Sequence, residues 1–250
     1  MNSDLTPDER ATYEWQTWIP GFGEEGQRRL KAATVLVSRI GGVGGAAALA
    51  LAAAGVGKLI LAHAGNVKPS DLNRQMLMTH AALGTSRIEC AATRLQELNP
   101  RLVIVAVPEN IGEANADRLV RDADVVVCCA PLFEERLAMN AACVRAGKPM
   151  IDGAMHELTG QLTTVIPGRT ACLACRVPVV PPTWTRRFPV LGAVAGTVGM
   201  LAAAEVVKLI TGVGEPLADH LLTFDLRDMR FRTVKLRRRP DCPACGGPGG

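Results

Sequence analysis

The glycine cluster in Thr34-Val-Leu-Val-Ser-Arg-Ile-Gly-Gly-Val-Gly-Gly45 constrains this chain more than any other feature. A short β-branched run, Val35 to Val37, passes into Gly41, Gly42, Gly44 and Gly45, and an alanine- and leucine-rich helix candidate spans residues 46–54. Strand, glycine turn and helix in that order open a βαβ nucleotide-binding unit. Backbone without Cβ atoms lets phosphates reach the amides at a helix N-terminus. The first glycine of the G-x-G-x-x-G pattern is replaced, leaving Arg39-x-Gly41-x-x-Gly44. The context favours a phosphate-facing turn over a merely tight one.

Downstream, Gly55-Val-Gly57 closes that helix, because glycine follows the last helical residue. Residues 58–63 read as a second strand, and 64–74 as a polar connection closing on Asp71-Leu-Asn-Arg-Gln75. Helices over 86–98, 114–121 and 134–146 alternate with strands over 102–107, 125–128 and 149–153. That alternation predicts an α/β fold with a doubly wound, mainly parallel sheet. Beyond about residue 155 the rhythm changes. Residues 161–166 alternate like an antiparallel strand, 167–189 form a long loop, and 190–210 a long helix with Gly192, Gly196 and Gly199. Segments 221–225 and 231–236 read as an antiparallel hairpin. Upstream, residues 23–33 form a helix, preceded by an arm whose Tyr13, Trp15 and Trp18 pack on the main domain or on a partner. The expected organisation is one domain over 1–250, with an arm (1–22), a nucleotide-binding half (23–155) and a C-terminal extension (156–250).

The formal charge of +4 is small and dispersed, which gives no reason to expect nucleic acid as a partner. The densest basic run, 235–239, reads as a solvated face. The longest apolar stretches, 43–57 and 190–204, are shorter than the roughly 20 residues of a bilayer span. The N-terminus lacks a signal-peptide pattern, so a cytoplasmic protein without a membrane partner is expected. Eight cysteines include two spaced pairs, Cys172-Leu-Ala-Cys175 and Cys242-Pro-Ala-Cys245. In a reducing compartment such pairs suit a four-thiolate structural zinc knuckle; a redox motif or free thiols are the competing readings. Pro243 and the glycine-rich end favour the knuckle. Cys128 and Cys129 end a strand and are expected to face the nucleotide cleft, as buried small hydrophobes.

Taken together, Gly23-Glu-Glu-Gly-Gln27, Gly41-Gly-Val-Gly44, Ala52-Ala-Ala-Gly-Val-Gly57, Leu72-Asn-Arg-Gln75, Asn140 with Cys143, Gly160-Gln161 and both cysteine pairs resemble the MoeB/ThiF/HesA proteins, bacterial relatives of ubiquitin-activating enzymes. The resemblance covers residues 13–245 and is closest to a HesA-like branch. It implies a homodimer of Rossmann-like subunits, each with one structural zinc. Family members use ATP and Mg to adenylate the C-terminal glycine of a ubiquitin-like sulfur-carrier protein ending in Gly-Gly, for cofactor biosynthesis. Residue by residue, it implies catalytic roles for Arg74 and Arg87. It also implies nucleotide contacts from Gly41, Gly42, Gly44, His63, Asn73, Arg74, Gln75 and Arg87, with Cys172, Cys175, Cys242 and Cys245 on the metal.

Several family positions differ. Arg39 replaces the first turn glycine, and His63 the acid expected to close on the ribose. Pro131 stands in for the magnesium-holding aspartate, and Trp15 for an arginine that some members extend across the dimer. A cysteine used by some members falls near Thr185. Two readings follow. In one, nucleotide is still used, with Asp71, Glu134 or Glu135 supplying the carboxylate. In the other, the chain is a catalytically degenerate dimeric adaptor or a metal- or cofactor-supply protein. The terminal Gly249-Gly250 reads as a disordered end rather than a carrier tail.

Overall fold

The computed structural model describes residues 4–177, 179–180 and 188–246. Eight strands form one sheet: β1 (Thr34–Ser38), β2 (Lys58–Ala62), β3 (Val103–Val107), β4 (Val125–Cys128), β5 (Met150–His156), β6 (Thr159–Val165), β7 (His220–Asp225) and β8 (Arg230–Lys235). Their order is β3-β2-β1-β4-β5-β6-β7-β8. The ladders from β3 to β5 are parallel and those from β5 to β8 antiparallel, so the expected change of rhythm lies at the β5–β6 hairpin. The strand order reverses between β1 and β4, and a doubly wound sheet opens a crevice at such a point.

The helices are α1 (Pro7–Thr12), α2 (Glu14–Thr17), α3 (Gly23–Ala32), α4 (Gly42–Ala54), α5 (Arg87–Leu98), α6 (Ala116–Arg121), α7 (Phe133–Ala146), α8 (Leu173–Arg176) and α9 (Gly192–Thr211). Two apolar cores lie on opposite faces of the sheet. Val35, Val37, Leu59 and Leu61 join α4 and α9 on one side, while Leu36, Ile60, Val126 and Cys128 join α6 and α7 on the other. This alternation is the period-two pleat of strands buried on both faces.

Helix α4 begins at Gly42, four residues before the alanine run, because the glycines themselves form its first turn. It ends at Gly55, which adopts a left-handed conformation at φ +86°. The C-terminal carbonyls of α4 receive side-chain donors from three other segments. Gln16 Nε2 and Gln27 Nε2 donate to the Ala54 carbonyl at 2.9 and 3.0 Å, and Asn99 Nδ2 to that of Ala52 at 3.0 Å. Groups that a helix end leaves unpaired are thereby satisfied. Tyr13 is buried here and accepts from Asn99, so this part of the arm packs on the main body. Trp15 and Trp18 stack on each other at 6.2 Å but remain 79% and 66% exposed. Helix α9 crosses α4 so closely that a Cβ on Gly199 would overlap the Val43 carbonyl. That helix is long and apolar enough to cross a membrane, yet nearly half of it is buried against the rest of the protein.

Candidate functional site

The crevice at the β1/β4 reversal is a cleft of about 1220 Å³. Its walls are the β1–α4 turn, the 70–75 segment, the β4–α7 connection and the exposed face of β6–β8. Arg39, Gly41, Gly42, His63, Asn73, Arg74, Gln75 and Arg87 all line it, together with Pro131 and His156. Gly44 does not; it supports the turn from beneath, where a Cβ would overlap the Arg39 carbonyl. Cys129 reaches the cleft, but Cys128 points to the opposite core, correcting the expectation that both face it. Successive strand residues alternate sides, so neighbours cannot share a face. Burial raises both thiols, leaving them neutral.

Among the described residues, six arginines and three aspartates line the cleft. Asp71 organises the wall formed by the 70–75 segment. Its Oδ2 accepts from Arg87 Nε and Nη2 at 3.0 and 2.7 Å and from the Lys68 amide, while Oδ1 accepts from Gln75 at 2.8 Å. Arg87 is therefore buried and oriented by protein partners, with Nη1 on the Ala64 carbonyl. Arg74 is more accessible and is held by the Ser70 carbonyl and Asn73. A second network lies under the other wall. Asp152, fully buried, receives Arg136 at 2.7 and 3.0 Å and Arg176 at 3.0 Å. Burial opposes its ionisation, but the two guanidinium groups prevail and hold the carboxyl below its usual range.

Asp71 and Asp152 are each shared by two arginines. Positive charge around the cleft thus exceeds its carboxylate partners, which suits an anionic ligand. Two buried atoms at the lining have no hydrogen-bond partner among the described residues: His63 Nδ1 and Gln75 Oε1. Such orphans point to a polar group supplied from outside. Burial, with Arg39 and Arg87 nearby, lowers His63 to about 4, so its imidazole is neutral. Gly42 and Val43, which open α4, line the same cleft, and the amides at a helix start have no intrahelical acceptor. These features fit a nucleotide phosphate chain.

They do not provide a ready magnesium ligand. Pro131 offers no side-chain oxygen. Among the described residues, every carboxylate lining the cleft is already paired: Asp71 with Arg87, Asp225 with Arg227 and Asp228 with Arg230. Of the other candidates, Glu134 is exposed and does not line the cleft, and Glu135 is paired with Arg39.

The four paired cysteines converge as expected. Cys172, Cys175, Cys242 and Cys245 place all their Sγ atoms within 4.8 Å of one another, with the closest pairs at 3.4 and 3.6 Å. A tetrahedral thiolate site with about 2.3 Å metal–sulfur bonds separates its sulfurs by roughly 3.8 Å, so the cluster can hold a metal ion. Burial opposes ionisation of Cys242, yet the Cys245 and Ala244 amides and the adjacent thiols bring it to about 7. Asn140 secures the knuckle, accepting from the Leu173 amide at 2.8 Å and donating to Cys172 Sγ. Arg238 fastens the tail through the carbonyls of Gly168 and Cys245, so part of the basic 235–239 run is structural. Thr185 and Gly249-Gly250 lie outside the described residues.

The Arg136–Asp152–Arg176 network was not anticipated. Its available signal is one aspartate inside the apolar strand Met150-Ile-Asp-Gly153.

Fold and cleft together define a Rossmann-like α/β protein with an arginine-lined cleft and a cysteine knuckle. The chain belongs to the ThiF family, whose model matches residues 13–244. It is 48% identical to protein HesA of Leptolyngbya boryana over 97% of this chain and 88% of that one. It is also 39% identical to the adenylyltransferase and sulfurtransferase MOCS3 of Drosophila ananassae, over 98% of this chain but 55% of the relative. Among solved structures, E. coli MccB crystallised with ATP superposes with a TM-score of 0.83 at 23% identity, over 98% of this chain and 75% of that one. The Rossmann-like fold is thus that of a family containing adenylyltransferases.

Proposed function

We propose that this protein adenylates the C-terminal carboxylate of a ubiquitin-like sulfur-carrier protein, using ATP bound in the β1/β4 cleft. The observation that carries this reading is the excess of guanidinium groups around two orphaned buried polar atoms beside the glycine turn. ATP would place its phosphates against the α4 amides and Arg74, with Arg87 adding fixed positive charge from its seat on Asp71. His63 and Gln75 would take the nucleoside's polar groups. In the reaction the carrier's carboxylate attacks the α-phosphate and pyrophosphate leaves. Cations pre-set where charge accumulates stabilise such a step without reorganising. The cleft continues past Gly160 onto Gln161, Thr223 and Arg232, a groove able to take an extended Gly-Gly tail.

The four-cysteine cluster would hold zinc through Cys172, Cys175, Cys242 and Cys245. All four positions are protein ligands, so that metal serves folding rather than chemistry. The working form is a cytoplasmic homodimer of single-domain chains. The test is carrier-dependent exchange of pyrophosphate into ATP. Wild type is expected to exchange and Arg74→Ala to lose the activity. Absence of nucleotide binding at millimolar Mg-ATP would end this reading. The paired state of every cleft carboxylate favours a second one, a dimeric adaptor without adenylation. Carrier capture indifferent to both ATP and Arg74→Ala would support it.

A further inference from the structure

Arg39, a departure from the nucleotide-binding pattern, meets in space an acid 96 positions further along the chain. Arg39 Nε donates to Glu135 Oε2 at 2.7 Å, and Nη2 donates to Oε1, forming a two-pronged fork. The fork joins the β1–α4 turn to the first turn of α7. Both side chains are about nine-tenths buried, at 9% and 12% exposure.

The backbone of Arg39 is held firmly. Its amide donates to the Ala62 carbonyl at 2.7 Å, and its carbonyl accepts from Gly41 at 2.6 Å. Its φ of +56° lies in the left-handed region, which a residue with a Cβ enters at a cost of about 1 kcal/mol. A strained cation is thereby fixed at the mouth of the glycine turn.

This pair differs from the other ion pairs in the cleft. Asp71 also binds a backbone amide and Gln75, and Asp152 binds two arginines in full burial. Glu135 accepts hydrogen bonds from Arg39 alone among the described residues. It lies in the first turn of α7, where the helix's positive end stabilises a carboxylate without any partner. Releasing Arg39 therefore leaves Glu135 supported. Arg87 and Arg136 instead hold more deeply buried acids inside larger networks.

We propose that Arg39 and Glu135 form an anion-operated latch: a polyphosphate entering the glycine turn takes the Arg39 guanidinium, and Glu135 is released into the cleft. This rests on the reading of the cleft as a nucleotide site. Arg39 is thus an anion-binding residue kept neutralised until ligand arrives, which disfavours occupancy by weakly charged molecules. The exchange swaps one charge-assisted fork for another and needs no co-reactant.

The test is calorimetric titration of the full chain with inorganic tripolyphosphate and with ATP, without divalent cation. Glu135→Gln removes the competitor, and both ligands are expected to bind about tenfold tighter. Arg39→Ala removes the receiving cation, and binding is expected to weaken at least tenfold. A structural strut would move both variants in the same direction, and that result overturns the latch. The exchanged pair, Arg39→Glu with Glu135→Arg, adds a second arm. It is expected to melt near wild type yet lose polyphosphate binding, and wild-type affinity there would refute the latch. If Glu135→Gln does not fold, the exchanged pair decides alone. Wild-type binding with unchanged variants defeats only the latch. Failure of wild type to bind either ligand defeats the nucleotide reading as well.

Discussion

His63 is where one residue's environment has the clearest thermodynamic consequence. In the unfolded chain its imidazole titrates near 6.5, whereas burial and two neighbouring guanidinium groups lower it to about 4 in the fold. Between those values the unfolded state binds a proton that the native state refuses. Stability must then fall as pH drops from about 6.5 towards 4. At pH 5 the linkage amounts to about 2 kcal/mol. His63→Asn should lose less stability than wild type between pH 7 and 5, measured by urea denaturation at each pH. Parallel losses in the two proteins would contradict this environment for His63. The position was legible in the sequence because it follows β2 beside the glycine turn. Its lowered pKa was not, since that depends on burial and on Arg39 and Arg87 approaching from other segments.

At the scale of elements, the knuckle shows how two short motifs organise a long connection. Cys172 precedes and Cys175 lies within α8, a single turn inside a region expected to be loop, and Cys242 and Cys245 close on it from the tail. The spacing of the pairs was enough to predict that they meet. The helix was not, because four residues carry too little periodicity to register. Replacing Cys242 with Ser should remove bound metal and release the tail. Metal content by mass spectrometry should fall from about one zinc per chain to near zero, with earlier proteolysis after β8. Wild-type protein without stoichiometric metal would refute the site. Arg176, adjacent to Cys175, carries the effect further, because it bonds both Asp152 and Gln161. The glycine stops of α4 and α7 at Gly55 and Gly147 were readable, whereas the start of α4 at Gly42 was masked by glycine's poor helix propensity.

Considered whole, the described residues leave an apolar groove uncovered beside α9. Met76, Leu191 and Met200, each nearly half exposed, line it between the 72–76 segment and α9. Gly192 and Gly196 lower its floor, so another surface could approach closely. The proposed homodimer would bury this groove beside Arg74, bringing the second chain to the rim of the nucleotide cleft. Sedimentation of wild type at micromolar concentration should report two chains, and Met200→Glu should shift it to one. A wild-type monomer would remove the dimer from the proposal. The parallel half of the sheet was legible from its alternating elements. The continuous eight-strand floor was not, because pairing of β6 with β7 depends on α9 returning the chain to the sheet.

The fork between Arg39 and Glu135 also has a consequence for descent. An arginine gained at position 39 without its acid would be a nearly buried, unpaired charge, a change that commonly costs several kcal/mol. An acid gained first would sit harmlessly at a helix start. Lineages should therefore acquire Glu135 before Arg39 and lose Arg39 before Glu135. Two sites 96 positions apart are in this way inherited as one.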